Sequence, residues 1–163
     1  MNQQIIINIG VSGSGKTTWS TEYIKNNPNT FRVNRDDIRK TLKGDLVDYY
    51  KQSGLELSSI EDLVSIIENN MIKTILLKRY NVIIDNTNLG SRYINNWIEL
   101  TNNFVSPVDI KFKIFDEVDK EVLKQRIRHR EGEFAYTEYI DKQLIQYKVI
   151  SDYIKKTYPN QIL

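Results

Sequence analysis

Apolar and polar positions follow two different periods along this chain. Near the N-terminus, Ile5-Ile6-Ile7 and Ile9 form a β-branched run that ends at Gly10, the pattern of a buried strand. Phe31 to Asn34 and Asn81 to Asp85 read as two further short strands, and Val108 to Phe115 alternates partly, as a fourth. Helical periods fill the intervals. Lys16 to about Lys25 is a predicted helix that ends in the polar run Asn26-Asn27-Pro28-Asn29. Either Asn34 or Asp36 could cap a second helix running to about Leu42. Ser58-x-x-Glu61 has the form of a capping box, and the helix it opens carries Ile60, Leu63, Val64, Ile67, Met71 and Ile75 at three- and four-residue spacing, a predicted core stripe. A helix from about Arg92 to Asn103 presents Ile94, Trp97 and Ile98. Asp119 can cap another to about Arg130, and a last one, about Thr137 to Thr157, carries Ile140, Leu144, Tyr147 and Ile154 on one side. Residues 44–57 are the least regular stretch, either a substrate-lining excursion or a connector. Strands alternate with helices throughout, which predicts an α/β architecture with a parallel sheet and helices on both faces.

Composition narrows the picture. The sequence has 163 residues, which predicts one domain over residues 1–163. The net charge of +2 gives no global electrostatic grip on nucleic acid and leaves room for a local basic site. With no cysteine and a single histidine, disulfides, thiolate zinc sites, a cysteine nucleophile and a His-rich metal site are excluded. Neither a leader pattern nor an apolar run of membrane-spanning length is present, so a soluble, cytoplasmic protein is expected, with no membrane partner. Trp19 and Trp97 are expected to pack rather than stack on a ligand.

The first strand leads into Gly10-x-x-x-x-Gly15-Lys16-Thr17, the G-x-x-x-x-G-K-[ST] phosphate-binding loop. Gly10, Gly13 and Gly15 are expected to take left-handed torsions and let the backbone approach a phosphate closely. The amides of the loop, which includes Ser12, Ser14 and Thr18, then converge on the anion at a helix N-terminus. Lys16 reaches the β- and γ-phosphates of ATP, and the hydroxyl of Thr17 can ligate Mg²⁺. Gly10, Asn34, Asp85 and Asp116 all fall at predicted strand ends, where ligands bind in such sheets.

Three further groups carry chemistry. Asp85 closes an apolar strand, a position from which it can hold Mg²⁺ or its water shell. Asn34-Arg35-Asp36-Asp37-x-Arg39 offers a carboxylate, Asp36 or Asp37, to accept a hydroxyl proton, with Arg39 on the helical face of Asp36; helix capping and a solvated arginine explain the same spacing equally well. Arg126 and Arg130 share a helical face just before the loop Glu131 to Ala135, as suits a lid that neutralises transition-state charge, although a basic helix end is also favoured by the helix dipole. His129 reads as a bystander.

GVSGSGKTTW, VNRDDIR, VIIDNTNL and KIFD followed by Arg126-x-x-x-Arg130, in this order, resemble the kinase domain of phage-type polynucleotide 5′-hydroxyl kinases over essentially the whole chain. The Asn-Arg-Asp-Asp element is the discriminating part. The resemblance implies an adenylate-kinase-like P-loop NTPase fold with a lid at about residues 126–137, acting in nucleic acid repair. It implies Asp36 as the general base, Arg39 on the substrate phosphate next to the accepting nucleoside, and Lys16 and Thr17 on ATP and Mg²⁺. It also implies Arg126 and Arg130 as lid arginines, and Asp85, Thr87 and Asn88 on the substrate side. The phage pattern is Asp-Thr-Asn where this chain has Asp85-Asn86-Thr87-Asn88, a four-residue form similar to the animal enzymes. No Asp-x-Asp-Gly-Thr phosphatase signature occurs, which suits a stand-alone kinase.

The leading expectation is therefore transfer of the γ-phosphate of ATP, or of another nucleoside triphosphate, to 5′-hydroxyl ends of DNA or RNA. One alternative is a P-loop kinase of a small hydroxyl compound: a nucleoside, a nucleotide or a hydroxymethylated base. The other is a nucleotide-binding regulatory or toxin-like protein without a polynucleotide acceptor, which would have no need of a base.

Overall fold

The computed structural model describes residues 3–44, 54–133 and 135–163. Four strands form one parallel sheet: β1 (Gln3–Ile9), β2 (Thr30–Val33), β3 (Asn81–Ile84) and β4 (Val108–Ile114), in the order β2-β3-β1-β4. The helices between them are α1 (Lys16–Asn26), α2 (Arg35–Lys43), α3 (Gly54–Leu77) and α4 (Ser91–Asn102), and α5 (Lys120–Glu131) and α6 (Tyr139–Thr157) follow β4. A short 3₁₀ turn, Pro159–Gln161, follows α6, after which Ile162 bridges to Phe112 of β4.

The central strand is the one with the strongest apolar run. β1 pairs on one side with β3, Ile5 opposite Val82 and Ile7 opposite Ile84, and on the other with β4, Ile7 opposite Phe112. Side chains alternate faces along a strand. Ile5, Ile7 and Ile9 on one face and Ile6 and Asn8 on the other are all buried, so both faces of the sheet are covered. The chain passes from β1 to the edge strand β2, returns to β3, and only then adds β4 on the far side. That reversal beside β1 opens a crevice at the carboxyl ends of the strands.

α3 corrects two expectations. The described helix already starts at Gly54, so Ser58 and Glu61 lie within it and form no capping box at its start. Its buried line is Val64, Glu68, Ile72 and Leu76, flanked by the partly buried Ile60, Ile67 and Ile75, whereas Leu63 and Met71 are exposed. Counting apolar residues alone skips Glu68, and so rotates the predicted stripe. Of residues 44–57, positions 45–53 lie outside the described residues, and the rest comprise the end of the α2 segment and the start of α3. Elsewhere the periods hold. Ile94 and Trp97 of α4, and Ile140, Tyr147 and Ile154 of α6, are core, with Ile98 and Leu144 packed against it. Asp119 caps α5 by accepting from the amides of Glu121 and Val122 at 2.9 and 3.2 Å. Trp97 is buried. Trp19 is half-buried, its ring centroid 4.9 Å from that of Tyr23 and edge-on to Phe115.

Candidate active site

The loop after β1 is shaped by two different constraints. Gly13 and Gly15 have positive φ, and Gly15, at φ 97°, caps α1. Gly10 does not, contrary to expectation. Its constraint is packing, since a Cβ there would stand 2.7 Å from Ser14 Oγ and 3.0 Å from Phe115 Cβ. The Gly10 amide donates to Thr87 O at 3.2 Å, tying the loop to the segment after β3. Arg126 of α5 donates to Gly13 O at 2.9 Å, and Ser12 N donates to Gln143 Oε1 of α6 at 2.8 Å. Thr17 and Thr18 are exposed at the head of α1.

Lys16 is only 8% exposed, and its ammonium donates to Val11 O at 2.6 Å. Burial pushes its pKa down to about 8; Asp85 and Asp36 act the other way, and Arg130 adds to the depression.

Asp85 is 1% exposed at the end of β3. One carboxylate oxygen accepts from Asn8 Nδ2 at 3.0 Å and the other from Arg32 Nε at 2.6 Å. Arg32 also pairs with Asp37. Burial opposes the charged form of Arg32, yet its bonds to Asp85 and Asp37 hold its pKa above the ordinary value. The Asn88 side chain is buried and donates to Asn8 O at 2.8 Å while accepting from Trp97 Nε1 at 3.3 Å. It ties β1 to the segment after β3 and makes its polar contacts within the protein. Thr87 is half-buried beside it.

The α2 cap resolves the choice between Asn34 and Asp36. Asn34 Oδ1 accepts from Asp37 N at 3.1 Å, and its amide donates to the Asp85 carbonyl. The two adjacent carboxylates then diverge. Asp37 turns to Arg32, whereas Asp36 pairs with Arg39 Nη1 at 2.7 Å. Arg39 is further held by Glu61, Nε to Oε1 at 2.8 Å and Nη2 to Oε2 at 2.9 Å. Glu61 also accepts from Arg35, which reaches the buried Glu68 at 2.8 Å as well.

These groups line one cleft of about 1460 Å³, which brings together the phosphate loop, Asp36, Arg39, Asp85, Arg126 and Arg130. Arg130 pairs with its neighbour Glu131; Arg128 and His129 are exposed outside the cleft lining. Arg32, Glu61, Glu68 and Gln143 were not anticipated. Glu68 carries a readable signal, a charge at core spacing between Val64 and Ile72; Gln143 carries none. Among the described residues no cluster of His, Cys, Asp and Glu is set to hold a metal ion, and no helix is long and apolar enough to cross a membrane.

A phosphate loop closing the central strand of a parallel sheet, with a buried lysine at the head of the next helix, defines the P-loop NTPase fold. Residues 5–150 match the family model of an AAA domain, and the chain belongs to that family. A chain in the structure of the Pnkp1/Rnl/Hen1 RNA repair complex is 28% identical, with a TM-score of 0.76 over 93% of this chain and 46% of that one. A chain in another structure of the Pnkp1/Rnl/Hen1 complex is 30% identical, with a TM-score of 0.62 over 77% of this chain and 39% of that one. This chain thus spans less than half the length of either. Deoxyadenosine kinase from M. mycoides, solved with dCMP and dCDP, is 18% identical with a TM-score of 0.62 over 98% of this chain and 88% of that one, a likeness of fold alone. The fold is that of the P-loop NTPases.

Proposed function

We propose that this chain transfers the γ-phosphoryl group of ATP to the 5′-hydroxyl of a DNA or RNA strand. The observation that carries this reading is the Asp36–Arg39 pair, a carboxylate and a guanidinium 2.7 Å apart in the same cleft as the phosphate loop. A module that only bound nucleotide would not need a base there. The 28% identity to a chain of an RNA repair complex supports a strand end as the acceptor.

The roles follow from charge and reach. The loop amides and Lys16 hold the β- and γ-phosphates. Asp36 takes the proton of the acceptor hydroxyl, the acceptor oxygen bonds to the γ-phosphorus, and ADP leaves with the electron pair of the broken P–O bond. Arg126 and Arg130 offset charge on the transferring group. Arg39 takes the phosphate on the 3′ side of the accepting nucleoside. Thr17, exposed at the head of α1, fits an oxygen ligand for Mg²⁺. Asp85 fits better through water than as a direct ligand, because it is almost fully buried and each of its oxygens already accepts one hydrogen bond, from Asn8 and from Arg32. When bound, Mg²⁺ neutralises phosphate charge.

A small hydroxyl acceptor is the second reading, favoured by one observation: among the described residues two carboxylates engage Arg39, which weakens its pull on an anionic acceptor. The test is kcat/KM with labelled ATP for adenosine, adenosine 3′-phosphate and a short 5′-hydroxyl oligonucleotide, each with wild type and Arg39→Ala. The strand-end reading requires a preference for the 3′-phosphate in the wild type that collapses in Arg39→Ala. Equal use of adenosine and its 3′-phosphate by the wild type would transfer the case to the small-molecule reading.

A further inference from the structure

We propose that Glu61 is a specificity-determining residue that occupies Arg39 in place of the acceptor's phosphate and must yield it when the acceptor binds. This rests on the strand-end reading above, in which Arg39 meets an acceptor phosphate.

The geometry is that of a stand-in. Glu61 grips Arg39 with both oxygens, at 2.8 and 2.9 Å, in the parallel two-bond arrangement that a phosphate forms with the same guanidinium edge. Arg39 keeps its third contact, Nη1 on Asp36 at 2.7 Å, through that exchange. The base therefore stays oriented while the other edge of the fork changes partner.

A carboxylate released from a partly buried arginine needs another cation, or the exchange is prohibitively unfavourable. Glu61 has one. Arg35 Nη2 already donates to Glu61 Oε2 at 2.8 Å. Arg35 is itself fixed from the other side by Glu68 at 2.8 Å and by Ser65 Oγ at 3.1 Å, so it does not follow Arg39. The pair of arginines and the bridging Glu61 thus form a two-position device. In one position Glu61 spans both arginines; in the other it rests on Arg35 and Arg39 faces the acceptor.

The consequence is that Glu61 sets how strongly Arg39 favours a phosphate-bearing acceptor. An acceptor with a phosphate replaces the Glu61 contacts with equivalent ones. A plain nucleoside has nothing to offer Arg39 and leaves the Glu61 clamp shut. Competition from Glu61 lowers the affinity for phosphate-bearing acceptors below what a bare Arg39 would give.

The experiment compares KM for adenosine with KM for adenosine 3′-phosphate in wild type, Glu61→Gln and Glu61→Asp. The glutamine keeps the volume and removes the charge; the aspartate keeps the charge and is too short to span both edges. In either variant the ratio of KM for adenosine to KM for its 3′-phosphate should rise about tenfold, the worth of one charge-assisted hydrogen bond. Adding Arg39→Ala should erase the rise. A merely structural Glu61 would raise both KM values together and leave the ratio unmoved, which overturns the proposal, as does a falling ratio. If Glu61→Gln fails to fold, Glu61→Asp decides alone, and if both fail Glu61 is structural and the proposal falls. A wild type that phosphorylates no 5′-hydroxyl acceptor, or shows no 3′-phosphate preference, instead sinks the strand-end reading itself.

Discussion

Arg32 Nε lies 2.6 Å from Asp85 Oδ2, at the meeting of the edge strand β2 and the inner strand β3, and that carboxylate is 1% exposed. Asp85 is almost wholly removed from bulk solvent, so Arg32 and the amide of Asn8 carry most of the compensation for its charge. Arg32→Ala should destabilise the protein by about 3 kcal/mol, the low end for breaking a buried ion pair. Adding Asp85→Asn should recover most of that, because the orphaned charge goes with it. Chemical denaturation of the wild type and the two variants checks this, and a wild-type midpoint for Arg32→Ala would refute it.

Lys16 supplies a pH signature. Its pKa is about 8 in the folded chain against 10.5 unfolded. Between those values the unfolded state binds more protons, so this group's contribution to stability rises as pH climbs from about 8 towards 10.5. Nucleotide binding works in reverse, because phosphates favour the charged ammonium. ATP binding near pH 8 should therefore take up protons, seen by calorimetry as a heat that varies with buffer ionisation enthalpy. Lys16→Ala should abolish both the uptake and phosphoryl transfer with the fold intact, since the lost cation is desolvated and bonded locally, to Val11 O and Ser14 Oγ. A buffer-independent heat for the wild type at that pH would contradict this account of Lys16.

The divergence of Asp36 and Asp37 predicts unequal effects from equal substitutions. Asp36→Asn should retain ATP binding and lose about 10²- to 10⁴-fold in turnover, the range for a positioned base. Asp37→Asn should cost stability through Arg32 and far less turnover. If turnover falls more in Asp37→Asn, the base is the other carboxylate.

Much of this site could be read in advance because it is local. The phosphate loop follows from the spacing of Gly10, Gly15 and Lys16, and β1 from its β-branched run. The Asn34 cap was one of two candidates three residues or fewer from Asp37. What sequence could not supply is the partner across space. Glu61 resembled a capping-box acid because Ser58 precedes it by three, yet it lies inside α3 and serves Arg35 and Arg39 of another helix. Glu68 broke the apolar stripe because its burial depends on Arg35 and Asn86, which lie 33 and 18 residues away along the chain. The torsion expected at Gly10 was in fact a contact with Phe115, a residue at the far end of β4.

The α5 arginines divide by face. Arg126 and Arg130 line the cleft, and Arg128 does not. Arg130→Ala should lower kcat by more than it weakens ATP binding, as for charge stabilised mainly in the transition state. Arg128→Ala should be near wild type in both. Steady-state kinetics beside nucleotide titration separate the two, and equal impairment at Arg128 and Arg130 would mean that both faces of α5 act on the nucleotide.

The strand order has a consequence for how the chain is made. β1 is translated first, yet it sits between β3 and β4, and β4 is complete only at Ile114. Until then a nascent chain holds its most apolar strand as an open sheet edge, the arrangement most prone to pairing with a neighbouring chain. The phosphate loop waits longer still, because the amide of Ser12 finds Gln143 only when α6 has left the ribosome. Ribosome-bound chains that end before β4 are where chaperone capture and co-translational aggregation should concentrate, and nucleotide binding should begin only after α6 emerges.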